Sequence, residues 1–216
     1  MKGIKGPCAD WSLENFLGRQ EGLFIAGVDE VGRGAWAGCM VVAAAVYEPH
    51  VELTIPIRDS KAYRPEERFE LVEYLTKTYL EKGLLQITYA EVVPSIIETH
   101  NLNDLNNQLF DEALHKVVRL DKVIIDGNIA GDTWPGMCAP KADTKSITVA
   151  TASLFAKVYR DRQMQELHKQ YPQYGFDQHV GYGTKSHVAA LQMHGPLKGI
   201  HRSNFLQNLR KEGKLQ

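Results

Sequence analysis

Apolar residues run almost unbroken from Leu23 to Val28 and end on the acidic pair Asp29-Glu30, the pattern of a buried strand that runs into charge. A second run, Cys39 to Tyr47, is rich in Val and Ala and predicts another strand, with Gly32-Arg33-Gly34 as the turn between them. Pro65, Glu66 and Glu67 open a helical pattern carried by Phe69, Val72, Leu75 and Tyr79, expected to end near Gly83. Leu84 to Val92 has strand composition. A short segment begins at Pro94, and Leu109, Phe110, Ala113, Leu114, Val117 and Val118 mark a longer helix. Lys122 to Asp126 predicts a further strand closing on Gly127. From about Ser146 to Tyr171, Ala150, Leu154, Val158, Met164 and Leu167 recur at helical spacing, although the start of this stretch reads equally well as strand. Pro172 to Gly183 predicts a loop, Thr184 to His194 a helix closed by Gly195-Pro196, and a last short helix follows Ser203.

Strands alternating with helices, followed by a helical tail, argue for an α/β or α+β core with a C-terminal helical cap. With 216 residues, 44% of them hydrophobic, the chain can bury one substantial core, so one domain with an appendage is expected. Cys8, Cys39 and Cys138 form no Cys-x-x-Cys pair, which fits neither a disulfide framework nor a zinc site and points to a reducing, cytoplasmic compartment. Met1 to Trp11 lacks the apolar stretch of a secretory signal. The longest mostly apolar run, Ala35 to Tyr47, is too short for a membrane span, so a soluble protein is expected.

Charge changes this picture. The net charge of −1 hides an asymmetry: residues 1–140 hold 13 Lys+Arg against 21 Asp+Glu, whereas residues 141–216 hold 12 against 5. A basic C-terminal region beside an acidic one suits a protein that grips a polyanion with one part and holds cations with the other.

Asp29-Glu30 and Asp126 each stand where an apolar strand ends, and strand ends are where sites are usually built. Taken singly, each could be a solvated terminus or turn residue. Carboxylates converging from neighbouring strands repel unless cations or protons intervene, and hard oxygen ligands select Mg²⁺ or Mn²⁺. Two such ions can drive phosphodiester cleavage with no nucleophilic side chain. Because adjacent strand residues point to opposite faces, Asp29 and Glu30 share a site only if the chain bends, which Gly32 permits. A rival reading takes Gly32-x-Gly34-x-x-Ala37 as a dinucleotide fingerprint, but the following segment reads as strand rather than helix, and the two acids would repel a pyrophosphate.

Ala26-Gly-Val-Asp-Glu-Val-Gly-Arg-Gly34 closely resembles the opening motif of ribonuclease HII, the type 2 ribonuclease H family. Asp59-Ser-Lys61, Ile125-Asp-Gly-Asn128, Asp143-x-Lys145, Ala152-Ser153, Ala156-Lys-Val158, Arg160-Asp161, Gly181-Tyr-Gly-Thr184 and Ile200-His-Arg202 follow in that family's order, so the resemblance covers about residues 23 to 205. It implies a ribonuclease H-like mixed sheet flanked by helices: an N-terminal segment 1–22, a catalytic core 23–171 and a basic helical extension 172–216. It further implies a monomeric endonuclease that hydrolyses the RNA strand of RNA–DNA hybrids. Such an enzyme cuts 5′ of ribonucleotides embedded in duplex DNA, leaving 3′-hydroxyl and 5′-phosphate ends. Asp29, Glu30, Asp126 and Asp143 match the family's four metal-binding acids, with two Mg²⁺ or Mn²⁺ ions as cofactor. Asp161 competes for the fourth place, but it lies about 15 residues into the long helix, roughly 22 Å along a straight axis, whereas Asp143 just precedes it. Asp143 could alternatively be a plain helix cap.

In the same resemblance, Gly32, Arg33 and Gly34 match the segment whose backbone approaches the ribose 2′-hydroxyl, the group that separates RNA from DNA. Tyr182 matches the tyrosine that packs on the sugar next to the ribonucleotide. Lys61, Lys145, Lys185, His201 and Arg202 are expected phosphate contacts. Departures occur at Ala35-Trp36, in place of the family's usual Pro-Leu, at Cys39, where proline is common, and at Ser203-Asn204, where one phosphate contact is missing and affinity should fall. A type 3 ribonuclease H would need an extra N-terminal domain, for which residues 1–22 leave no room. A duplex-binding module without catalysis gains nothing from clustered carboxylates.

Overall fold

The computed structural model describes residues 8–127, 134–213 and 215. Its helices and strands run in the order α1 (Ser12–Phe16), β1 (Ile25–Val31), β2 (Met40–Tyr47), α2 (Pro65–Leu75), β3 (Leu85–Val92), α3 (Pro94–Ile97), α4 (Leu102–His115), β4 (Lys122–Asp126), β5 (Gly136–Ala139), α5 (Ile147–Gln170), α6 (Phe176–His179), α7 (Lys185–His194) and α8 (Gln207–Lys211). The strands form one mixed five-stranded sheet in the order β3-β2-β1-β4-β5, with β1, β4 and β5 parallel. None of the helices among the described residues is long and apolar enough to cross a membrane. The chain divides into two compact units, one of Met1–Glu30, Val42–Ala90 and Asn107–Val158, the other of Val31–Val41, Glu91–Asn106 and Tyr159–Gln216.

In the first unit, the strands read as unbroken apolar runs because central strands are covered on both faces. All eight residues of β2 are buried, and β1 is buried through Asp29. The first half of α5 is buried around its whole circumference, Thr148, Thr151 and Ser153 included. That is why its sequence lacks a polar face and its beginning resembles a strand; the structure makes it helix from Ile147. Gly27 fixes the spacing between this helix and β1, since a Cβ there would stand 2.1 Å from the Val149 nitrogen and 2.2 Å from the Thr148 carbonyl carbon. Leu17, Ile25, Ile124, Ala139, Ala142 and Val149 close one core cluster.

Two elements of this unit were not foreseen. Helix α1 delivers Glu14, fully buried, to the start of α5, where its carboxylate accepts hydrogen bonds from Ser146 Oγ (2.6 Å), Thr148 N (2.9 Å) and Thr148 Oγ1 (2.8 Å). An anion at a helix N-terminus meets unpaired N–H groups and the positive end of the dipole. Strand β5 adds an edge to β4. The pattern opening at Pro65 also breaks earlier than expected: α2 ends at Leu75 and continues as a π-helical turn, Thr76–Leu80. Asn128 of the Ile125 to Asn128 motif lies outside the described residues.

The second unit has its own core, in which Ala37, Met164, Tyr174, Phe176, Leu191 and Leu206 pack together. The expected loop 172–183 is partly ordered into a 3-10 turn, Pro172–Tyr174, and α6, because Tyr174 and Phe176 stack in that core with ring centroids 5.4 Å apart. Thr184 caps α7 by accepting from His187 N, and Gly195 ends it, as its sequence predicts.

Candidate active site

Asp29 and Asp126 owe their meeting to strand register. Strands β1 and β4 run parallel with Val28 opposite Ile125, so the next residue of each is an aspartate at the same C-terminal sheet edge. Asp143 arrives from the 3-10 turn Ala142–Thr144 that precedes α5. Asp126 fastens this turn, since its Oδ1 accepts from the Ala142 backbone N–H at 2.7 Å. Asp29 is buried and accepts from Glu30 N at 2.8 Å. Burial, followed by the charge of Glu30, holds the Asp29 carboxyl well above the usual carboxylate range; Asp126 and Asp143 add to the shift, and a hydrogen bond from Ser153 opposes it. Asp143 is likewise raised, by burial and then by Asp59 and Asp126. The four acids thus form one electrostatic cluster in the first unit. Asp161, the competing candidate, belongs to the second unit, where its charge acts on Arg160.

Among the described residues, no group of three or more His, Cys, Asp or Glu side chains stands ready to hold a metal ion unaided. The donors are all hard oxygens, and their mutual repulsion is what a divalent cation relieves.

Three further residues join the cluster without having been singled out. Asp59 accepts from Lys61 N at 2.9 Å, and Ser60 Oγ lies 3.0 Å from Ser153 Oγ, so Ser60 braces the hydroxyl that bonds Asp29. Both serines sat inside the quoted motifs; the signal for Ser153 was a polar residue repeated with Thr148 and Thr151 inside an otherwise apolar helix. For Lys61, burial lowers the ammonium's pKa, but the charges of Asp59, Asp143, Asp29 and Asp126 outweigh it and raise the balance. Lys145 is exposed and donates to the Pro140 carbonyl at 3.2 Å, and Lys185 is exposed at the start of α7.

In the second unit, two guanidinium groups hold the turn Gly32-Arg33-Gly34 and the segment that follows it from within. Arg202 donates to Gly32 O (2.8 Å), Arg33 O (3.1 Å) and twice to Gly38 O (3.0 and 2.7 Å). Arg160 donates to Cys39 O (2.8 Å), Ala37 O (2.9 Å) and Val180 O (2.8 Å). Gly32 has φ +85° and a Cβ there would strike Arg160 at 2.3 Å, whereas Gly34 faces open space. The Arg33 side chain hydrogen-bonds Asn103.

Two expected phosphate contacts are therefore corrected. Arg202 is 0% exposed and His201 3%, so neither side chain reaches a ligand; both serve the interior. Tyr182 is half-buried, with Arg160 5.5 Å from its ring centroid. The Trp36 indole fills the space beside Gly183, where a Cβ would meet it at 2.2 Å, which gives the Ala35-Trp36 departure a packing role.

The ribonuclease HII family model matches residues 26–208, most of the chain and the whole span of these motifs. The chain belongs to the ribonuclease HII family. Relatives named ribonuclease HII include one from Thermus thermophilus, 40% identical over 86% of this chain and 88% of its own length, and one from Anaplasma phagocytophilum, 39% identical over 91% and 92%. The fold is shared with the crystal structure of ribonuclease H2 from Pyrococcus horikoshii, with a TM-score of 0.71 at 24% identity over 88% of this chain and 98% of that one. It is also shared with Bst-RNase HIII in complex with Mn²⁺, at TM-score 0.62 and 19% identity over 88% and 71%. Membership makes the chain an enzyme, a hydrolase acting on the RNA of RNA–DNA hybrids, of a class that uses divalent metals.

Proposed function

We propose that this enzyme cuts 5′ of ribonucleotides embedded in duplex DNA, leaving 3′-hydroxyl and 5′-phosphate ends, with Asp29, Glu30, Asp126 and Asp143 holding two Mg²⁺ or Mn²⁺ ions. The observation that carries the reading is the parallel register that brings Asp29 and Asp126 to one sheet edge, where burial and then the neighbouring carboxylates raise the Asp29 carboxyl. Such ions, when bound, activate a water and stabilise the leaving 3′-oxygen. Asp126 keeps its carboxylate and the Asp143 turn in fixed relation, and Ser153 orients Asp29. The backbone of Gly32, Arg33 and Gly34 meets the 2′-hydroxyl, Tyr182 packs on the adjoining sugar, and Lys61, Lys145 and Lys185 contact phosphates. The enzyme acts as a monomer.

The test uses a DNA duplex bearing one ribonucleotide beside a continuous RNA–DNA hybrid, with Mg²⁺, with Mn²⁺ and with excess chelator. Cleavage 5′ of the single ribonucleotide that chelator abolishes is expected. A strong preference for the long hybrid would instead indicate type 3 behaviour. Asp126→Asn keeps an oxygen for Ala142 N but loses the charge, so cleavage should fall about a thousandfold or more while duplex binding persists. Near-parental cleavage by this variant would refute the carboxylate assignment.

A further inference from the structure

Behind Tyr182 lie three buried histidines, His179, His187 and His201. His187 Nε2 and His201 Nε2 are 3.1 Å apart. Their outer nitrogens decide which of the two carries the proton. His201 Nδ1 lies 2.9 Å from the Leu197 backbone N–H, which can only donate, so this nitrogen is bare and the His201 proton sits on Nε2. His187 Nδ1 lies 3.0 Å from the Tyr182 carbonyl, which can only accept, so this nitrogen carries the proton and His187 Nε2 is bare. Both requirements meet in one hydrogen bond, from His201 Nε2–H to His187 Nε2. The chain of donation runs one way, from Leu197 N–H through two neutral imidazoles to the Tyr182 carbonyl.

The rest of that loop is gripped as firmly. His179 Nδ1 accepts from Gly181 N (3.1 Å), its carbonyl accepts from Tyr182 N (2.9 Å), and its Nε2 donates to Tyr174 O (2.8 Å). His179 also stacks on His187 with ring centroids 4.1 Å apart. The Tyr182 carbonyl receives a second bond from Thr184 N at 2.9 Å. Any extra proton on His187 or His201 would set two N–H groups facing each other or turn one against the Leu197 N–H.

We infer that His187 and His201 are positioning residues for Tyr182: a one-way pair of neutral imidazoles fixes the tyrosine's backbone, and so its ring, for the sugar beside the ribonucleotide. The inference rests on the sugar-packing role proposed for Tyr182. A ring displaced by an ångström loses much of its discrimination, since alignment errors of that size cost large rate factors.

Two substitutions separate the positioning role from general packing. In His187→Asn the amide nitrogen occupies the place of Nδ1 and can still donate to the Tyr182 carbonyl. In His187→Gln the terminal amide reaches the place of Nε2, meeting His201 but losing the Tyr182 bond. The readout is the ratio of cleavage rates on a single-ribonucleotide duplex and on a continuous hybrid. The Gln variant should lower that ratio about tenfold, and the Asn variant should hold it within about twofold. An unchanged ratio in the Gln variant, or equal losses in both variants, overturns the inference. A measurement on the unmodified enzyme guards against misfolded variants: long-range ¹H–¹⁵N correlation should find His187 protonated at Nδ1 and His201 at Nε2, and any other tautomer pair also overturns it. Tyr182→Ala distinguishes the two layers of reasoning. If that variant keeps the parental ratio, the Tyr182 reading fails and takes the positioning role with it; if it loses the ratio while His187→Gln does not, only the histidine pair fails.

Discussion

Acidifying the metal-free protein should destabilise it through His187 and His201, because both are buried as neutral groups. Burial pushes both imidazoles down to about 4, and for His201 the neighbouring His187 adds to the effect. In the unfolded chain each titrates near 6.5. Between these values the unfolded state binds protons that the folded state refuses, so stability is full above pH 6.5 and is lost as pH falls toward 4. A gap of this width corresponds to about 3 kcal/mol per imidazole at pH 4 and about 2 kcal/mol at pH 5. Neither ring is more than 3% exposed, so solvent screening takes little from these figures. Two such terms are a large share of the roughly 5–15 kcal/mol that holds a domain together. Asp29, Asp143 and Glu14 act in the opposite sense, since their raised carboxyls gain from acid. The assay is therefore a comparison: urea denaturation of the parent and of His187→Asn from pH 7.5 to 5.0, with chelator present. The parent should lose about 2 kcal/mol more than the variant across that range. Parallel stability curves, or resonances assigned to His187 or His201 of the native parent that titrate near pH 6.5, would refute the reasoning.

Two substitutions test how the units are built. Gly27→Ala drives a methyl group into the backbone of Thr148 and Val149, which cannot rotate away, so it should cost about 3 kcal/mol or more in denaturant titrations and weaken cleavage through Asp29, two residues along β1. Arg202→Lys exchanges a rigid fork for one ammonium that cannot serve Gly32, Arg33 and Gly38 together; a loss of about 2–4 kcal/mol is expected, with retained activity and stability counting against the staple role.

The parts of this fold that the sequence displays are those decided locally. β1, β2 and β4 are apolar from end to end because they are sheet-interior strands, and their terminal aspartates stand out against that background. α7 carries both of its stop and start signals, Thr184 and Gly195, in the chain itself. What stayed hidden depends on distant partners. β5 is four residues long and exists because β4 offers it an edge. α1 is short, and its importance lies in Glu14 reaching the start of α5, more than 130 residues away. Ser60 and Ser153 are separated by 93 residues and become a support for Asp29 only once the fold brings them to 3.0 Å. The four acids follow from strand ends together with the family resemblance; Asp59, Ser60 and Ser153 lie inside the same motifs, and only the fold gives them a place beside Asp29 and Asp143.

The charge asymmetry divides by burial. Twelve cations in residues 141–216 suggested a gripping surface, yet Arg160 and Arg202 are fully buried and spend their donors on backbone carbonyls. A buried guanidinium is costly unless its donors are met, and here seven hydrogen bonds to carbonyls of the 32–39 segment and of Val180 meet them. The reason for the expense lies in the turn. Glycine gives the backbone room to approach a ribose but also the freedom to wander. Recognition by backbone atoms needs that freedom removed beforehand, because a loop ordered only on binding loses affinity to the ordering itself. Two planar forks that clamp carbonyls from inside supply rigidity without adding a side chain to the turn's surface. Cations in this sequence therefore divide by burial into those that hold the protein and those, such as Lys145 and Lys185, that stay exposed and that the proposed function assigns to phosphate, a division no count of charge could make.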